Sequence, residues 1–150
     1  MMKIVRAVVG VLIGLGYGWI VGAITLYLLR LTYDPAYPGP MIPDKNGWSS
    51  FIAFMVTVVA SFCAAVAGMV VGLVRANAIR GAWIAGGIGA GFFLIATVLN
   101  VKTYGSWLMR EPEKVWPLML RDVEASFVIL PLGLSLVGLL TGFITSKLKS

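Results

Sequence analysis

The sequence contains no histidine, and its only cysteine is Cys63. The first absence removes the commonest metal ligand and general base, together with the usual axial ligand for haem. The second excludes an internal disulfide and any paired-cysteine metal or redox motif. Charge is scarce too: 12% of residues are Asp, Glu, Lys or Arg, against about 25% in an average soluble domain. No glycine-rich phosphate loop and no nucleophile–base pair is present. The chain is therefore expected not to be an enzyme and to hold no intrinsic cofactor or metal.

Apolar residues are abundant, at 59% of the chain with a mean hydropathy of +0.94. Four uncharged runs stand out, at 7–29, 51–74, 82–101 and 126–146. At 1.5 Å per residue each would be a helix of about 30 Å or slightly more, the thickness of a bilayer's hydrocarbon core. Lipid cannot satisfy backbone polar groups, so spanning segments of this kind are helical. The expected fold is an all-α integral membrane protein, one domain over 1–150 with four transmembrane helices. Outer loops are expected at 30–50 and 102–125.

Glycine recurs every fourth residue in the first run, at Gly10, Gly14, Gly18 and Gly22. In water each would cost a helix about 1 kcal/mol relative to alanine. In lipid, where apolar surfaces gain nothing by meeting, small residues let helix backbones approach closely. The other runs carry similar strips: Ala60, Ala64, Gly68 and Gly72; Gly87 and Gly91 beside Ala82, Gly86 and Ala90; and Gly138 with Gly142 and Ser146. These glycines are the expected helix-packing residues. A groove along them for a lipid tail, quinone or pigment is the competing reading.

The runs also suggest two related hairpins. Gly14, Gly16 and Gly18 resemble Gly87, Gly89 and Gly91 in spacing, and Gly68 with Gly72 resembles Gly138 with Gly142. Chance recurrence in glycine-rich helices accounts for the same pattern.

Lys3, Arg6, Arg75, Arg80, Lys147 and Lys149 crowd the helix ends at the termini and the short 75–81 connector. An equal set, Arg30, Lys45, Lys102, Arg110, Lys114 and Arg121, is spread through the longer loops with every acidic residue. Density of lysine and arginine near helix ends places both termini in the cytoplasm, in a plasma (inner) membrane. The net charge of +6 serves topology in this reading, not nucleic-acid binding. A cleaved signal peptide ending near Ala23 is the other reading of the first run, but the apolar stretch continues past a usual signal length.

The 30–50 loop holds Pro35, Pro38, Pro40 and Pro43, which favour extended, polyproline-like backbone. It is expected to be either a stiff surface connector or a docking arm. The 102–125 loop is expected to carry a short interfacial helix. Val115, Trp116, Met119 and Val123 would face lipid there, Lys114, Arg121 and Asp122 would face water, and Pro117 would bend or break it. Tyr33, Trp48, Trp83, Trp107 and Trp116 are the expected interfacial anchors. The acids Glu111, Glu113, Asp122 and Glu124 each have a basic neighbour and read as a solvated face.

Proton relays and ion-coupled carriers usually place ionisable residues inside the membrane; these runs hold none. The polar residues inside them, among them Tyr17, Thr57, Ser61, Thr97, Ser135 and Thr141, are expected to pack or to bond a carbonyl one turn back. Pro131 with Gly133 is the one candidate helix break. The expected function is a non-catalytic accessory subunit of a larger membrane complex, bioenergetic in one version, whose partners are other integral membrane subunits and lipids. A small carrier or channel acting as a homo-oligomer, and a lipid- or quinone-binding module, are the alternatives.

Overall fold

The computed structural model describes the backbone of residues 1–32 and 45–148, and the side chains of 1–29 and 50–148. The proline-rich stretch, Tyr33, Lys149 and the Trp48 side chain lie outside the described residues. Among those described, all regular structure is helical: α1 (Met2–Thr32), α2 (Lys45–Val74), α3 (Ala78–Leu108), α4 (Pro112–Phe127), a π-helical turn (Val128–Leu132) and α5 (Gly133–Lys147). Four stretches are long and apolar enough to cross a membrane: Met2–Leu29, Ser50–Val74, Ala78–Leu108 and Pro112–Lys147.

The helices outrun the apolar runs. With 31 residues each, α1 and α3 are about 46 Å long. Most of the expected 102–125 loop is helical, reduced to a turn between Leu108 and Pro112. Over 102–125 the expected short helix does not stand apart from the long apolar stretch Pro112–Lys147. α4 runs through Pro117 and on into the π turn and α5. Pro117 is tolerated because the carbonyl it leaves without a donor belongs to Glu113, at the exposed first turn. Val115, expected to face lipid, is buried, and Met119 and Val123 are half-buried. Part of the apolar face of α4 is thus covered where α4 packs on α3, while Trp116 stays exposed.

Two hairpins make up the fold. α1 packs along α2, and α3 along α5, the π turn and α4. α2 also contacts both α3 and α5, and α1 contacts α5, so the core lies where the hairpins meet. That core comprises Cys63, Ala64, Ala67, Val71, Leu130, Leu134 and Val137, with Ala85 of α3. Small residues dominate it, which brings the helices close.

The α2–α3 connection is a tight reversal. Arg75 closes α2 in the left-handed region at φ 55°, a position that ordinarily favours glycine and costs another residue about 1–2 kcal/mol. The Ala76 amide donates to the Val71 carbonyl, which caps α2. Asn77 then starts α3, its side chain accepting from the Arg80 amide at 2.9 Å.

Candidate functional site

In the first hairpin the glycine face of α1 lies directly on the backbone of α2. A Cβ added at Gly10 would overlap the Gly68 carbonyl, and one at Gly68 would overlap the Gly10 carbonyl. Gly14 meets the backbone of Ala64, Gly18 meets Ser61, Gly22 meets Thr57, and Gly72 meets the Arg6 carbonyl. The second hairpin has Gly81 and Gly138 in mutual contact, with Gly142 against the Asn77 carbonyl.

Gly87 and Gly91, expected on the packing strip, meet nothing within 4 Å. Gly86, expected on the same strip, does pack, against Ser135, and Gly89 joins it against the Leu130–Pro131 backbone. Each residue turns a helix by 100°, so Gly89 shares the face of Gly81 and Ala85 while Gly87 and Gly91 point away. Gly16 on α1 likewise meets nothing.

The hairpins join at the helix break flagged by Pro131. Proline supplies no N–H, which frees the Phe127 carbonyl, and the backbone widens into the π turn. Tyr17, projecting from the middle of α1, donates its hydroxyl to the Ile129 carbonyl at 2.6 Å. Gly133 makes room for it, since a Cβ there would collide with the Tyr17 hydroxyl. Ser135 donates to the Pro131 carbonyl at 2.8 Å. The break is thus filled by the chain's own hydroxyls.

Arg6 forms a second joint. It is only 4% exposed, and Nη2 donates to the Leu148 carbonyl at 3.0 Å. A cation there complements the carbonyl end of α5. Its Nε is buried without a partner. In the sequence Arg6 reads only as a flanking charge, although it lies four residues before Gly10 and so on the same helix face.

The remaining polar residues divide. Thr57 donates to Ala53, Thr97 to Phe93 and Thr145 to Thr141, each one turn back. The Ser61 and Thr141 hydroxyls are buried with no partner. At the far end Tyr104 donates to the Asp122 carboxylate at 3.0 Å, Lys114 pairs with Glu111 at 2.9 Å, and Arg121 lies 3.5 Å from Asp122. Trp83, Trp107 and Trp116 are exposed. Among the described residues no three His, Cys, Asp or Glu side chains are grouped to hold a metal.

Compared with known proteins, the chain matches no family model, no curated protein and no solved structure.

Proposed function

We propose that this chain is a non-catalytic structural subunit of a larger membrane assembly, spanning a plasma membrane four times with both termini in the cytoplasm. The observation that carries this reading is the outer face of α3. Only Gly81, Ala85 and Gly89 are buried on that helix. Gly87 and Gly91 face outward with open space around them, beside exposed Trp83, Leu94 and Val98. Glycine gives a lone lipid-facing helix nothing, whereas it admits the backbone of a neighbouring helix. Glycine-mediated packing fits the hairpin interiors as well, where the strips of α1 and α2 are filled by each other's backbones. That leaves those strips no room for a flat quinone or pigment.

The carrier reading needs a broken helix whose carbonyls face a path. Here the Ile129 carbonyl accepts from Tyr17 and the Pro131 carbonyl from Ser135, which favours a fixed joint. The test is extraction in mild detergent followed by measurement of the particle's mass and composition. A large particle with constant partners supports the subunit reading. A monomer or small homo-oligomer overturns it and directs attention to transport or lipid binding.

A further inference from the structure

The two hairpins are built on one register. Gly72 meets the Arg6 carbonyl as Gly142 meets that of Asn77. Gly10 with Gly68 corresponds to Gly81 with Gly138, and Gly18 with Ser61 to Gly89 with the Leu130–Pro131 backbone, where Pro131 is the counterpart of Ser61. Where Gly22 meets Thr57, the second hairpin stacks Phe93 edge-on against Phe127 at 5.6 Å. Every correspondence adds 71 on the first helix of the pair and 70 on the second. Outward-facing Gly16 maps to outward-facing Gly87. Buried Cys63, Ala64, Ala67, Gly68, Val71 and Gly72 map to buried Gly133, Leu134, Val137, Gly138, Thr141 and Gly142. The glycine triplets compared by spacing alone are two residues out of this register.

The matching contacts make the chain a tandem pair of one hairpin. The helix contacts follow a two-fold relation: α2 meets α5, while α1–α5 and α2–α3 form two corresponding seams. The seams differ in chemistry. The α1–α5 side carries Tyr17 on the Ile129 carbonyl and Arg6 on the Leu148 carbonyl. On the α2–α3 side the corresponding residues are Ile88, Val59 and Asn77, and the Asn77 side chain is taken by the Arg80 amide. Phe62 edge-on to Phe92 at 6.5 Å marks that seam.

In hydrocarbon an apolar contact is replaced by acyl chains at little cost, whereas a hydrogen-bonded contact leaves polar groups stranded. We propose that the two hairpins rock about the hydrogen-bonded α1–α5 seam and part along α2–α3, with lipid acyl chains entering the gap. This inference rests on the membrane reading above, but not on the subunit role.

The test uses spin-label pairs on the full chain with Cys63→Ala, in phosphatidylcholine vesicles. One pair, at Ile24→Cys and Val128→Cys, spans α1 and the π turn. The other, at Ile95→Cys and Val58→Cys, spans the corresponding positions of α3 and α2. All four native side chains are exposed, so labels there leave the core intact. The main distances of the two pairs should agree. A second, longer component should appear at the α2–α3 pair alone, and Phe62→Ala should increase it at least twofold. Tyr17→Phe should broaden the α1 pair. Equal, single distances at both pairs that Phe62→Ala leaves unchanged overturn the proposal, as does a longer component confined to the α1 pair. Particle mass does not enter this readout, so the subunit reading and the rocking seam fail independently.

Discussion

The hydroxyl of Tyr17, on α1, donates to the carbonyl of Ile129, in the π turn, across 112 residues of sequence and 2.6 Å of space. This contact ties the first hairpin to the second at the point where Pro131 interrupts the regular helix. Gly133 is part of the same joint, because any side chain there would occupy the space of the hydroxyl.

Removing the hydroxyl with Tyr17→Phe should cost about 1 kcal/mol, the net value of a typical intramolecular hydrogen bond. Gly133→Ala should cost more, because it displaces the whole ring. Since both act on one contact, the double variant should fall short of the sum. Reversible unfolding in mixed detergent micelles measures all three, and strict additivity would show that Tyr17 and Gly133 are not coupled.

Gly14→Leu should separate α1 from α2, because a side chain at this position runs into the Ala64 backbone. Gly16→Leu and Leu15→Ala should leave the hairpin intact, since Gly16 meets nothing within 4 Å and Leu15 is exposed. Thermal stability of the detergent-solubilised protein separates the cases. Equal melting of the Gly14 and Gly16 variants would remove the argument for backbone contact.

Gly87→Leu probes the outer face of α3. The isolated protein should keep its wild-type stability, while recovery of the native assembly in mild detergent should fall severalfold. If recovery is unchanged, α3 is not the helix that meets a partner.

Arg6→Gln should free the end of α5. A hydrogen bond from a charged donor contributes about 1.5–3 kcal/mol, so amide exchange near Leu148 should accelerate by at least tenfold while exchange in the middle of α2 stays slow. Uniform acceleration along the chain would mean that Arg6 supports the whole fold instead.

At the far end, Tyr104→Phe removes the hydroxyl that reaches Asp122. Proteolysis at the Met109–Glu111 turn should speed up without any change at the α2–α3 turn. An unchanged cleavage rate would leave the Phe93–Phe127 contact as the main tie between these segments.

Hydropathy and the charge pattern were enough to predict four long apolar helices, because a run of uncharged residues long enough to cross a bilayer leaves the backbone few alternatives. The glycine spacing of α1 marked one of its faces, since residues four apart share a face whatever lies opposite. Sequence could not fix which strip of α3 turns inward. Gly86, Gly87, Gly89 and Gly91 are chemically alike, and the choice depends on the rotation of α3 against α5. Nor could it foresee that α4 would continue into α5, because Pro117 reads as a break until the exposure of the Glu113 carbonyl is known.

Pro131 and Gly133 were legible as a break, but not the residue that fills it. Tyr17 is 112 positions from Ile129, whose carbonyl it reaches, and a tyrosine within an apolar run carries no mark of its partner. Arg6 looked like a topological charge for a similar reason, its acceptor being 142 residues on. Sequence alone determined the local quantities here: helix length, apolarity, and which residues share a face. The tertiary structure decided which faces meet, because helix rotation and the seating of one hairpin on the other depend on contacts between distant residues.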